Sequence, residues 1–275
     1  MTEPLLTGLS FAESPRWRDG RLWISDWGRG LVLSVGPDGQ EATEAQVASF
    51  PLCIDFTPDG RLLLVSSADR AMLRREPDGS LSPYANLGDL TTPWNDIVVD
   101  GRGNAYVNNI GFDFPMGEPR PGILVLVTPD GTVSQVADEL HFPNGMAITP
   151  DGSTLIVAES HAERLTAFDI AADGTLSGRR LWAATPDDHP DGICLDATGA
   201  VWFADVGNNH CRRVAEGGEI LDTIAFDRGA FACTLSRTGD PTLYIVGQNF
   251  TGDPAAEPSG IAAAFPAPAH GAGHP

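Results

Sequence analysis

Short apolar runs and tight polar turns alternate along nearly the whole chain, and the alternation is periodic. An apolar run, a Gly-containing turn and a second apolar run recur at 14–26, 54–67, 96–109, 145–160, 192–205 and 231–247. Each run is short, rich in β-branched and aromatic residues, and of period two, which predicts strands rather than helices. The turn glycines Gly20, Gly60, Gly103, Gly152, Gly199 and Gly239 lie 40, 43, 49, 47 and 40 residues apart. Asp-Gly between such runs is a strong hairpin signal. A second set of turns falls between the first: Pro37-Asp38-Gly39, Pro77-Asp78-Gly79, Pro129-Asp130-Gly131, Ala172-Asp173-Gly174 and Glu216-Gly217-Gly218.

Two hairpins per unit make four strands, and six such units predict an all-β, six-bladed β-propeller. A β-sandwich would not repeat its turns at this double interval. No convincing amphipathic helix is visible. The sixth unit looks incomplete, and the segment around 3–11 is expected to supply its missing strand and close the ring. The domain reading is one propeller over 1–264, followed by a low-complexity tail, 265–275, expected to be disordered.

In a propeller the innermost strand of each blade lines the central channel, so the starts of those strands converge on one mouth. Glu13 lies seven residues before its turn glycine, Gly20. Asn95, Asn144 and Asp191 each lie eight before theirs. Asn, Asp and Gly are also common turn-formers at strand ends, but four hard oxygen donors in register point to a site. Two carboxylates and two amide oxygens suit one divalent cation, Ca²⁺ first. The lack of His and Cys in the set argues against Zn²⁺, while Mg²⁺, Mn²⁺ and Zn²⁺ stay open. Asp191 and Asn95 are the candidate catalytic residues among the four.

Composition narrows the chemistry. The 275 residues carry 37 Asp+Glu against 17 basic residues, a formal charge of −20, and every basic residue is Arg. Without lysine, Schiff-base and P-loop chemistries are excluded. The acidity disfavours nucleic acid and anionic membranes as partners. Cys53, Cys194, Cys211 and Cys233 are scattered without a CxxC and are expected to be reduced thiols. No apolar run approaches a membrane span and no signal peptide is visible, so the expected compartment is the cytoplasm. Asn249-Phe250-Thr251 is a formal glycosylation sequon, taken as an accident. No G-x-S-x-G, HExxH, GxGxxG or EF-hand loop is present.

At the four donors the chain resembles the senescence marker protein / gluconolactonase / luciferin-regenerating-enzyme-like (regucalcin) family. The resemblance is carried by Glu13-Ser14-Pro15-Arg16-Trp17, Asn95-Asp96 with Val99-Asp100 and Gly103, Pro143-Asn144-Gly145-Met146-Ala147 and Pro190-Asp191-Gly192, and it runs over roughly 8–250. It implies a six-bladed propeller with one catalytic divalent metal held by Glu13, Asn144 and Asp191, with Asn95 a ligand or the holder of a water beside it. It also implies a lactone or ester hydrolase acting on a small molecule. The alternatives are phosphotriester-type hydrolysis at the same site and a non-catalytic, ligand-binding propeller. The oligomeric state stays open.

Two positions depart from the family. Its sugar lactonases usually carry Arg two residues before the Asn-Asp pair, where this chain has Pro93, and Gly-Thr-Met is here Asn108-Asn109-Ile110. The expected pocket residues are Trp94, Asn108, Asn109, Phe112 and His161, with Ile110 and Phe114 nearby, which suits a less polar lactone. His141 and His189 flank the donor loops, and Asp205 is a candidate supporting residue.

Overall fold

The computed structural model describes residues 3–249 and 257–274. Six four-stranded antiparallel sheets form the blades of a β-propeller. The inner strands are Ala12–Arg18, Leu52–Phe56, Trp94–Val99, Pro143–Ile148, Ile193–Leu195 and Gly229–Leu235. Each packs on the inner strands of both neighbouring blades, and the sixth returns to the first, closing the ring. One short 3₁₀ turn, Ser160–Ala162, is the sole helical element among the described residues.

The turn chemistry follows the sequence. In the second hairpins the Asp carboxylate accepts the backbone N–H two residues on, as Asp130 does from Thr132 at 3.1 Å and Asp173 from Thr175 at 3.0 Å. The glycine between sits at positive φ, +82° at Gly131 and +85° at Gly174, where a Cβ would be strained.

Burial falls from the channel outwards. The inner strand Gly229–Leu235 is wholly buried, whereas the outer strand Ile220–Ala225 is almost wholly exposed. The core is therefore a series of layers between blades. Ala147 and Ile156 of blade 4 pack with Ile193 and Phe203 of blade 5, and Leu9, Ala12 and Leu22 pack with Ala232 and Val246 of blade 6. All four cysteines are buried, free thiols.

The ring closes as expected. Leu6–Leu9 is the outermost strand of the sixth blade, paired antiparallel with Gly260–Pro266. A blade built from both ends of the chain ties the first strand to the last.

The tail differs from the expectation of disorder. Strand Gly260–Pro266 runs past the assumed boundary at 264. Beyond it the chain crosses the far ends of three inner strands. Gly271 N donates to Ser236 O, Ala272 N to Leu195 O and His274 N to Ile148 O, each at 2.9 Å. Low-complexity composition conceals this because the bonds are made by backbone. Glycine also permits the approach: a Cβ on Gly273 would lie 2.0 Å from Ile148 O. Of the sequon, Phe250 and Thr251 lie outside the described residues. No helix of the described residues is long and apolar enough to cross a membrane.

Candidate functional site

Glu13, Asn95, Asn144 and Asp191 meet on the floor of one pocket, at the channel mouth opposite the tail. They come from blades 1, 3, 4 and 5. At the equivalent place blade 6 presents Phe231, and Pro51, just before the inner strand of blade 2, also lies on the pocket wall.

These residues are not turn-formers. Three of their strands break register at the donor, between Glu13 and Arg16, Trp94 and Asp96, and Pro143 and Met146. Such irregularities re-aim a side chain out of the sheet's alternation. Ser14, at φ 47°, marks the first of them. In blade 5 the regular strand begins only at Ile193, after Asp191. The glycines that follow two donors serve close packing. A Cβ on Gly145 would lie 2.5 Å from Ile193 N, and one on Gly192 would lie 2.3 Å from the Ala232 Cβ. The backbone itself links adjacent donors, with Gly145 N donating to Asp191 O at 3.1 Å.

Hydrogen bonds orient the floor. Asn95 Nδ2 donates to Asn144 Oδ1 at 3.1 Å, and Asn144 Nδ2 to Ser160 Oγ at 3.3 Å. Ser160 Oγ donates onward to Pro190 O at 2.8 Å. Beneath, buried Arg16 donates to Ile97 O at 2.7 Å and to Asp96 Oδ1 at 3.3 Å, and lies 3.6 Å from Asp55. Arg16 is thus committed to two other carboxylates.

Electrostatics set the two floor carboxyls apart. Burial pushes Glu13 up to about 8, with the Asp96 charge adding to it and the Ser14 N–H and Arg16 opposing. Burial also raises Asp191 well above the usual carboxylate range, reinforced by the charges of Glu13, Asp96 and Asp205. Two carboxyls held together against repulsion, beside amide oxygens and with no guanidinium of their own, form a donor set that fits a hard divalent cation. The residues that would hold it are Glu13, Asn144, Asp191 and Asn95.

A second group offers ligand-type atoms: Asp188, Asp205 and His210 lie within 4.8 Å of one another. Their atoms are already engaged. His210 Nε2 is 3.0 Å from Asp188 Oδ1, and Arg212 pairs with Asp188 Oδ2. Asp205 accepts the N–H groups of His189 at 2.7 Å and of Asn208 at 2.9 Å. This is a satisfied ion-pair cluster that braces the loop before Asp191.

The expected pocket residues divide. His161 lines the pocket. Its ring packs 4.7 Å from that of Phe142, and burial, with His189 and His141 nearby, lowers its pKa from the ordinary value. Trp94 is fully buried in the core between blades. It immediately precedes Asn95 in the strand, so its side chain takes the other face. Asn108 accepts the Asp96 N–H at 3.0 Å and donates to Asn144 O at 2.6 Å, below the floor. Asn109 donates to Thr92 O at 2.7 Å and stands behind the wall. Phe112 is 6% exposed and backs Phe142 at 5.7 Å. Pro93, Ile110 and Phe114 do line the pocket.

The sequence reading missed Phe11, Trp27, Phe50, Phe142 and Phe231, which complete the walls. One signal existed: Phe231 stands eight residues before Gly239, in register with the donors. The others lie in loops whose course the repeat does not specify.

The comparisons agree with this architecture. A pentonolactonase of Haloferax volcanii is 27% identical over 211 residues, spanning 74% of this chain and 69% of its own length. Lactonase drp35 of Staphylococcus aureus is 27% identical over 74% of this chain, and the chain spans 64% of that protein. Diisopropyl-fluorophosphatase of Loligo vulgaris is 27% identical over 55% of this chain and 54% of its own. The solved luciferin-regenerating enzyme superposes with a TM-score of 0.84 at 19% identity, covering 99% of this chain and 98% of that one. Gluconolactonase XC5397 of Xanthomonas campestris gives 0.77 at 24% identity, covering 95% of this chain and 89% of that one. The family model described as SMP-30/Gluconolactonase/LRE-like region matches residues 11–249, and the chain belongs to that family.

Proposed function

We propose that this protein hydrolyses lactones or related esters with the help of one divalent cation, Ca²⁺ by preference, at the pocket floor. The observation that carries the reading is the convergence of Glu13, Asn95, Asn144 and Asp191, from four blades, on one floor. Relatives named as lactonases support the reaction class.

A cation held by these oxygens supplies Lewis-acid polarisation of the substrate carbonyl and stabilises the negative charge that develops on its oxygen. The chain's own residues do the rest. Glu13 and Asp191 balance the cation's charge. Asn95 Nδ2 donates to Asn144 Oδ1, which fixes the two amides to each other on the floor. Asp191 is both a donor and the base assigned to an attacking water, whose proton it takes as the oxygen adds to the carbonyl carbon. The ring C–O bond then breaks, the leaving alkoxide takes the proton that Asp191 received, and a hydroxy acid results with the Asp191 carboxylate restored. The aromatic walls exclude bulk water from the floor, which strengthens each of these interactions.

The similarity to diisopropyl-fluorophosphatase supports a second reading, cleavage of a phosphorus ester or fluoride at the same floor. One panel separates the two. Chelated protein, protein with each cation restored, and Asp191→Ala are assayed on lactones, aryl esters and a phosphotriester. Cation-dependent lactone hydrolysis lost in Asp191→Ala is the expected result. Turnover of the phosphotriester alone selects the second reading, and cation binding without any turnover overturns both.

A further inference from the structure

We infer that the pocket selects lactones or esters with a planar, apolar group beside the reacting carbonyl, aryl-fused or aryl-substituted, and rejects polyhydroxylated sugar lactones. The inference rests on the hydrolase reading above and specifies its substrate class.

The walls carry the argument. On one side the Phe11 and Trp27 rings stack at 5.2 Å and 14°, with Phe50 edge-on to Phe11 at 4.9 Å. Phe231 meets Phe11 edge-on at 4.9 Å. On the other side Phe114 meets Phe142 edge-on at 5.1 Å. Both aromatic groups, the first from the region of blades 6, 1 and 2 and the second from that of blades 3 and 4, line the pocket that holds the donor floor. A flat ring against them gains stacked and edge contacts that a puckered, hydroxylated ring does not.

The polar inventory points the same way. Above the floor, the described lining residues offer Trp27, Ser160, His161 and His189 as side-chain hydrogen-bonding groups, and none is Arg. Trp27 Nε1 already donates to Ser25 Oγ at 3.2 Å. Ser160 is already committed to Pro190 O at 2.8 Å and to the Asn144 amide. Two imidazoles remain for a sugar lactone's hydroxyls, and each hydroxyl left against Phe, Pro or Ile loses water without replacement. Such a loss is worth about tenfold or more in affinity.

Size and charge narrow the class further. The cavity measures about 300 Å³, the lower end of the usual ~300–1,000 Å³ for small-molecule sites. That suits a fused bicyclic or a short substituted lactone. The chain's formal charge of −20 opposes anionic substrates and favours departure of the carboxylate product.

Two readouts test this separately from the reaction itself. First, kcat/KM is measured for dihydrocoumarin and gluconolactone, each relative to its spontaneous hydrolysis, in Ca²⁺-loaded wild type, Phe50→Ala and Phe114→Ala. Both phenylalanines are about half exposed at the rim, 48% and 46%, so either can be removed without emptying the core. The aryl lactone should lead by about a hundredfold, and each variant should raise its KM about tenfold and lower the aryl-to-sugar ratio of kcat/KM. Second, thermal shifts are compared for two unreactive lactams, 3,4-dihydro-2-quinolinone and gluconolactam. Only the aryl lactam should raise the melting temperature. Preference for gluconolactone, or an aryl-to-sugar ratio unchanged in both variants, overturns the inference while leaving lactone hydrolysis standing. If no lactone is turned over, the hydrolase reading fails and the lactam pair decides substrate class alone: a shift from the quinolinone only supports it, and any other pattern overturns it.

Discussion

Asp205 Oδ2 accepts the backbone N–H of His189 at 2.7 Å, two residues before Asp191. The same arrangement recurs around the ring. Glu159 accepts the His141 N–H at 2.8 Å, three residues before Asn144, and Asp26 accepts the Ser10 N–H at 3.0 Å, three before Glu13. Asn109 grips Thr92 O at 2.7 Å, three before Asn95. In each of these blades the last residue of the second strand fixes where the first strand enters, and so where its oxygen donor points.

Asp205 therefore acts on the floor through the loop it holds. Asp205→Asn should weaken Ca²⁺ binding by about tenfold, within the range for groups that orient ligands rather than bind directly. Titration calorimetry reads this, with exposed Asp222→Asn as a control expected to match wild type. An unchanged affinity in Asp205→Asn would remove the positioning role.

The raised Glu13 pKa has a defined sign. In the chelated protein the folded state holds that proton up to about 8, whereas the ordinary value is 4.5. Between those values the folded state binds more protons than the unfolded one, so stability falls as pH rises through the window. At about 1.4 kcal/mol per pKa unit, the effect amounts to a few kcal/mol. Chelated wild type should lose melting temperature relative to Glu13→Gln between pH 5 and 8. Added Ca²⁺ should oppose that loss, because it binds the ionised carboxyl and releases the proton.

Gly145 tests the close approach of blades 4 and 5. A Cβ there would lie 2.5 Å from Ile193 N and 2.6 Å from Asp191 O. Gly145→Ala should cost about 1–3 kcal/mol, as overpacking does, and should also weaken Ca²⁺ binding by displacing Asn144 and Asp191. Gly152→Ala, where a Cβ meets nothing within 4 Å, should show backbone strain alone and normal cation affinity. Denaturant melts with calorimetry on both variants separate the two effects.

The tail should contribute to stability. Chain ending at Pro266 loses the backbone bonds to Ser236, Leu195 and Ile148. Three bonds at ~1 kcal/mol net each bound the expected loss at about 3 kcal/mol. A melting temperature equal to that of the full chain would show the strap to be passive.

The sequence by itself determined the blade count, the hairpin turns, the N-terminal closure and the register of Glu13, Asn95, Asn144 and Asp191. These are legible because each is local: period-two runs, turn residues that supply positive φ, and a repeat that counts positions along strands. Tertiary structure alone decided the rest. Trp94 and Asn109 sit beside site positions in sequence yet point away, since strand alternation and a bulge decide which neighbour faces the channel. The aromatic walls gather Phe11, Trp27, Phe50 and Phe142 from loops of different blades, and the tail joins the ring through backbone bonds that carry no side-chain signature. Packing brings such residues together across the ring, and no spacing along the chain encodes that distance.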